Sequence, residues 1–283
     1  MRKPALFFVP ASLLAILLLA SAAGADWGRA KEEEIFEQTV PAAAAGTVQV
    51  ETINGNVTVR TWDRDEVYVK ATKEARGSSS EAARELLEET GIEIDAGDGG
   101  VSIRTRPPKS SWKRRAGGGV SVSYELTVPR RATVEARSTN GNVAVRGLDG
   151  PAALTSTNGT IELQDVGGDV EARTTNGDIR ARGLGGRLDG RTTNGTIRAE
   201  LRAAQLDDDM QLTTTNGSIE LDVAAGLAAE IDARASSGRV VSELPASYEL
   251  KKSAKAATYL LGGGGPRVKL RTTNGTIRLR QTG

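Results

Sequence analysis

Histidine and cysteine are both missing from the 283-residue chain, and aromatic residues are scarce, at 3 Trp, 4 Tyr and 3 Phe. Without His the chain lacks the usual general base at neutral pH, the Ser-His-Asp arrangement and most transition-metal sites. Without Cys there is no thiol nucleophile, zinc-thiolate cluster, haem attachment or disulfide, so stability rests on backbone pairing and packing. No aromatic residue stands between Tyr124 and Tyr248, which removes from that stretch the apolar platforms that sugar-binding clefts use. The charge is nearly balanced, with 37 Lys and Arg against 36 Asp and Glu, a net of +1. A chain built to bind nucleic acid wholesale would be far more basic, so no nucleic-acid partner is expected.

Long hydrophobic runs are lacking too, with one exception. Arg2 and Lys3 precede a mostly apolar run from Ala5 to Ala20, and Ala23-Gly24-Ala25 ends it with small residues. This reads as a signal peptide over 1–25; an uncleaved anchor is the rival reading, since about 18 apolar residues span a bilayer. No Cys follows the run, so lipoprotein attachment is excluded. Removing 1–25 takes the net charge from +1 to −1. The expected destination is outside the cytoplasm: periplasm, cell surface or medium.

What the chain does have is glycine, 33 residues of it, and a phrase that returns. Asn-Gly occurs at Asn54, Asn140, Asn158, Asn176, Asn194, Asn216 and Asn274, with Ser237-Gly238 as a variant. From Gly141 to Gly195 the interval is 18 residues three times over, the kind of period that marks solenoids. Aligned units repeat apolar residues at Val143, Ile161 and Ile179, at Val145, Leu163 and Ala181, and at Leu148, Val166 and Leu184. Glycines recur at Gly150, Gly168 and Gly186, and a second alternating run follows through Val170, Ala172 and Thr174. Alternation with period two means strand, so each unit holds two short strands separated by glycine corners.

The expected fold is therefore all-β: a parallel β-solenoid, or β-helix, of roughly 18-residue coils stacked about 4.8 Å apart. Corner Gly is expected for its tolerance of positive φ, and corner Asn as an inward amide ladder from coil to coil. Thr160 and Thr196 occupy the position of Asp178 in other coils, which predicts that Asp178 tolerates Thr. A series of β-hairpins is the competing reading of Asn-Gly, but it leaves the fixed period and the two strand patterns unexplained. Residues 26–46 read as a lead-in and 47–283 as the solenoid. A strand-helix-strand insertion falls at about 74–120, and an irregular segment at about 244–265. In SSSEAARELLEETG, Ser78 and Glu81 have capping-box spacing and Gly91 is a stop, predicting one short helix over an end or side of the solenoid.

Candidate chemistry is thin. Gly262–Gly265 runs into Pro266 and is no phosphate loop. Ser110-x-x-Lys113 lacks the companion motifs of serine enzymes that use it. Asp95 with Asp98, and Asp207-Asp208-Asp209, lack the spacing of calcium loops. No catalytic residue, metal ligand or cofactor is assigned. Two binding features remain. Arg137, Arg173, Arg191, Arg234 and Arg271 each precede a corner Asn, or Ser237, by three residues. Stacked, they form a row on one outer face, suited to phosphates or carboxylates or else paired with acids such as Glu171 and Asp189. The second feature is a loop with Arg104, Arg106, Lys109, Trp112, Lys113, Arg114 and Arg115, cations around one Trp that suit an anionic membrane surface or polymer, or simply a disordered loop.

The segments TINGNVTVRTWDRDEVYV, STNGNV, TTNGTI and the closing TTNGTIRLR resemble the bacterial "putative adhesin" family with β-strand repeats, a domain of unknown function related to the head-GIN domain of auto-transporter adhesins. The resemblance covers roughly residues 34–281 and implies a β-solenoid in the cell envelope, with no catalytic residues to carry over. The expected function is a non-catalytic envelope or adhesion module, its partner an anionic polymer, a membrane surface or another envelope protein. Polysaccharide processing of the lyase type on the same scaffold, and envelope-stress sensing, are the alternatives.

Overall fold

The computed structural model describes residues 30–97, 99–109, 118–201, 206–245 and 248–282. Residues 1–25, read above as a signal peptide, and the basic loop from Ser110 to Gly117 lie outside the described residues. So do Asp98 and the Ser110-x-x-Lys113 match.

The pattern of one coil explains the rest. In β12 (Val170–Asn176), Val170, Ala172 and Thr174 point inward and are buried, while Glu171, Arg173 and Thr175 point out. After the Asn-Gly corner, β13 (Ile179–Leu184) buries Ile179 and Ala181 and exposes Arg180 and Arg182. Each coil thus supplies one strand to each of two facing sheets, and the core lies between them. The regular coils are β8 (Thr133–Asn140) with β9 (Val143–Arg146), β10 (Ala152–Asn158) with β11 (Ile161–Gln164), β12 with β13, β14 (Leu188–Asn194) with β15 (Ile197–Leu201), and β16 (Met210–Asn216) with β17 (Ile219–Ala224).

Parallel pairing in exact register stacks like on like. Val143, Ile161, Ile179, Ile197 and Ile219 form one buried column. Across the core, Ala136, Leu154, Ala172, Gly190 and Leu212 form another that mixes small and large residues. Gly190 is the thinnest member because a Cβ there would meet Leu212 Cδ2 at 3.0 Å. Aliphatic side chains fill the core of these regular coils, and the buried aromatics, Tyr124 and Tyr259, lie outside them.

Chain order is not stacking order. Before the regular coils come β1 (Ala30–Pro41), β2 (Thr47–Asn54), β3 (Val57–Trp62), β4 (Glu66–Gly77), the helix α1 (Ser80–Glu89), β5 (Gly91–Gly97), β6 (Gly100–Arg106) and β7 (Gly119–Pro129). After them come β18 (Ala229–Ala235), β19 (Arg239–Ser242), β20 (Glu249–Lys252), β21 (Ala256–Leu261), β22 (Arg267–Asn274) and β23 (Thr276–Thr282). One sheet runs β1-β4-β7-β3-β9-β11-β13-β15-β17-β23-β19, and the other β20-β21-β18-β22-β16-β14-β12-β10-β8-β2-β6-β5. The last coil in sequence, β22 with β23, is therefore inserted between β16/β17 and β18/β19. Its Asn274 Nδ2 donates to Asn216 Oδ1 at 2.8 Å, a bond that Ser237 of the β18/β19 coil cannot make. The coil without a corner amide sits at the end of the column.

Antiparallel strands close the stack. β1 pairs with β4 and β4 with β7 at one end, where β5 also pairs with β6; β21 pairs with β18 and β20 at the other. Residues 30–41 of the segment read as a lead-in are thus an edge strand, and 249–252 and 256–261 of the segment read as irregular are strands. The helix caps on Ser79, whose side chain accepts from the Ala82 N–H at 3.1 Å, one residue later than the predicted Ser78. It lies against β4 and β1, with Ala83, Leu86 and Leu87 packed on Ala75. Thr90, not Gly91, ends it, its hydroxyl donating to the Leu86 carbonyl at 2.7 Å.

Candidate functional site

The repeat builds three outward surfaces: a ridge along the Asn-Gly corners and the two outer sheet faces. The ridge carries the amide ladder, but facing outward. Asn140, Asn158, Asn176, Asn194 and Asn274 each donate from Nδ2 to Oδ1 of the Asn before them in the stack at 2.8 Å, and Asn216 does so at 2.9 Å. Apart from Asn54, which is half-buried, all are exposed. The inward reading fails because the strand bends at the corner, so the in-out alternation that places Thr174 in the core does not extend to Asn176. The buried ladder is made of hydroxyls instead. Ser138, Ser156, Thr174, Thr192, Thr214 and Thr272 are buried, and each donates to the corner Gly carbonyl of the neighbouring coil at 2.8–3.0 Å.

The reason for corner glycine is also corrected. Among these corners only Gly55 has positive φ. A Cβ on Gly141, Gly159, Gly177, Gly195, Gly217 or Gly275 would fall well under 3.0 Å from the backbone carbonyl of the glycine it stacks on. Close approach of coils demands glycine here.

On the second sheet the arginine row exists, with gaps. Its register is Arg137, Thr155, Arg173, Arg191, Thr213, Arg271, Arg234. Four of the five are neutralised two residues away on the same face or by a neighbouring strand. Arg173 pairs with Glu171, Arg191 with Asp189 at 3.2 Å, and Arg271 and Arg234 share Asp232 at 2.6 and 3.2 Å. Burial pushes the Asp232 carboxyl up, but the hydrogen bonds and charges of Arg271 and Arg234 outweigh it and hold the group below its ordinary range. Beside Ala153 a shallow groove of ≈ 340 Å³ crosses the face, lined by Glu135, Ala153, Glu171, Asp189, Met210 and Lys269 among others, without an aromatic. Arg104 aligns with Glu51, Arg106 pairs with Glu93 at 3.7 Å and Lys109 is exposed. Trp112, Lys113, Arg114 and Arg115 lie outside the described residues.

The first sheet holds what sequence reading missed. One outer column, with Asp178 beside it, is a continuous chain of ion pairs: Glu162–Arg180 at 3.3 Å, Arg180–Asp178 at 2.8 Å, Asp178–Arg198 at 3.6 Å, Arg198–Glu220 at 3.1 Å and Glu220–Arg278 at 3.3 Å. The column beside it is different. Arg146, Gln164 and Arg182 are in register, and Arg60 follows Val59, which pairs with Val145. All three arginines are exposed, and among the described residues none has an acid within 4.0 Å. Each Arg lies five residues after a corner Gly, but that position is Gln164, Glu200 or Asp222 in other coils, so the repeat does not single it out.

Among the described residues no group of three or more carboxylates is placed to hold a metal, and no helix is long and apolar enough to cross a membrane. Asp209 is engaged by the Arg267 N–H at 2.8 Å and by Lys269 at 3.8 Å.

The fold and these faces define a two-sheet β-solenoid with charged, aromatic-poor outer surfaces. The chain belongs to the Toastrack DUF4097 family, whose model matches residues 36–280. No curated protein matches it. Similar solved structures include a "putative cell adhesion protein" from Clostridium sporogenes, with 9% identity, 88% of this chain and 100% of that one covered, and a TM-score of 0.33. A "putative adhesin" from Bacteroides fragilis has 11% identity, 88% and 97% coverage and a TM-score of 0.34. A "putative lipid binding protein" from Parabacteroides distasonis has 10% identity, 88% and 97% coverage and a TM-score of 0.40.

Proposed function

We propose that this chain is a non-catalytic, exported envelope module that binds a polymer bearing repeated phosphates or carboxylates. The observation that carries the reading is the Arg60, Arg146 and Arg182 column on the first sheet. Parallel strands put neighbouring positions about 4.8 Å apart, so Arg146 and Arg182, separated by Gln164, present fork-like donors at a regular spacing. Guanidinium groups without acidic partners retain their donors for a ligand. The row on the second sheet is less available because four of its five arginines are occupied by Glu171, Asp189 and Asp232. Export remains part of the proposal and rests on the Arg2–Ala25 segment.

The test uses residues 26–283 and two immobilised probes, polyphosphate and polyglutamate, at low salt. Replacing Arg146 and Arg182 with Gln is expected to weaken binding at least about tenfold, or about 1.4 kcal/mol. Replacing Arg173 and Arg191 with Gln should change it far less. Binding should also fall steeply with salt, since exposed charges are screened beyond about 8 Å at physiological ionic strength. Equal effects of the two double variants, or no binding to either probe, would refute the reading.

A further inference from the structure

Seven Asn-Gly pairs pose a chemical problem that the stack solves everywhere but at one end. In Asn-Gly, the glycine nitrogen, once deprotonated, attacks the Asn Cγ; a C–N bond forms, the Cγ–Nδ2 bond breaks and ammonia leaves. The resulting succinimide adds water at one carbonyl and opens to aspartate or isoaspartate. Glycine places no side chain in the way, so exposed Asn-Gly is the sequence most open to this reaction. The reaction needs an available glycine N–H and an amide free to turn.

Six corners withhold both. The N–H groups of Gly55, Gly141, Gly159, Gly177, Gly195 and Gly217 each donate to the corner Asn carbonyl of the next coil at 2.9–3.1 Å. The matching amides are also held: each Oδ1 from Asn54 to Asn216 accepts from the next Asn in the column. The seventh corner, Asn274-Gly275, lies where the ladder stops. The next coil brings Ser236, Ser237 and Gly238, and the Ser237 N–H donates to the Thr273 carbonyl at 2.7 Å. Among the described residues the Gly275 N–H has no acceptor and Asn274 Oδ1 has no donor; only Nδ2 is held, by Asn216. Asn274 is exposed.

We infer that Asn274 is the deamidation site of the folded protein, and that the other six corners are protected by stacking. The product places a carboxylate, or an isopeptide kink, three residues from Arg271.

Peptide mapping of the intact mature chain after incubation in mildly alkaline buffer tests this. Tryptic peptides 192–198 and 272–278 are identical in sequence, so digestion must be at lysine. This isolates Asn274 in 270–283, Asn54 in 32–70 and the remaining five in 114–251. In the folded chain, conversion at Asn274 is expected to exceed the per-site rate elsewhere by at least about tenfold, equivalent to about 1.4 kcal/mol. In urea all seven should react alike, because the local sequence is shared. A smaller ratio in the folded chain, or a folded chain in which Asn274 is as slow as its counterparts, overturns the inference.

Discussion

Thr174 hides its hydroxyl between two coils, where it donates to the Gly159 carbonyl at 2.9 Å, while Asn176, two residues on, meets solvent. Their substitutions should therefore rank opposite to an inward-amide reading. Thr174→Val leaves a half-buried carbonyl without its donor and should cost about 1–3 kcal/mol. Asn176→Asp keeps an acceptor for Asn194 and loses one exposed bond, so about 1 kcal/mol is expected. Urea unfolding of the two variants checks the order. Asp178 is less interchangeable with Thr than the repeat suggested, since its Oδ1 accepts the Thr196 N–H at 2.9 Å and its carboxylate bridges Arg180 and Arg198. Asp222 offers a pH test. Burial raises its pKa, Glu200, Glu220 and Glu243 add to this, and Arg280 only partly offsets them. The folded state thus holds this proton to higher pH than the unfolded chain does, so the group lowers stability as pH rises through its folded pKa. Asp222→Asn should raise the melting temperature at neutral pH, and the gain should vanish below the ordinary carboxylate range. A gain that persists in acid would contradict the assignment.

At the scale of elements, period-two alternation and the 18-residue interval made the strands and corners legible, because each coil repeats one local solution. The corner bend was not legible: alternation gives the parity of a side chain only while the strand stays straight, and Asn176 lies where it turns. The unpaired Arg60, Arg146 and Arg182 column was hidden for another reason. The same positions carry Gln164 and Glu200 in other coils, so no repeat motif marks them. The helix boundary moved by one residue because Ser78, Ser79 and Ser80 all offer a capping hydroxyl and only backbone direction selects among them. Ser79→Ala should cost about 1 kcal/mol, whereas Ser78→Ala should leave thermal stability nearly unchanged. Equal effects would place the cap elsewhere.

On the scale of the whole molecule, stacking order is set by pairings between distant segments, which explains why the inserted position of the C-terminal coil escaped the sequence. Its consequence can be measured with two deletions of similar intent. Excising residues 226–265 joins the β16/β17 coil to the β22/β23 coil, in the order in which they already stack. Every bond of the ladder from Asn54 to Asn274 survives, and what is lost is the end layer of β18 to β21. Removing residues 267–283 instead takes out an interior layer, including Val268, Leu270, Ile277 and Leu279, which are all buried. The β18/β19 coil must then dock on β16/β17, bringing Ser237 against Asn216 without an amide to continue the ladder. Solenoid stability is close to a sum of coil and neighbour-interface terms. The first deletion removes pairings only at the end of the stack and leaves every remaining interface native. The second cuts the stack in its interior and forces the β18/β19 coil onto a partner it does not have in the native order. The excised chain should therefore unfold at higher urea concentration than the truncated one, although its newly exposed strand edges should make it more prone to self-associate. If the truncated chain is the more stable of the two by urea midpoint, the β22/β23 coil does not lie inside the stack.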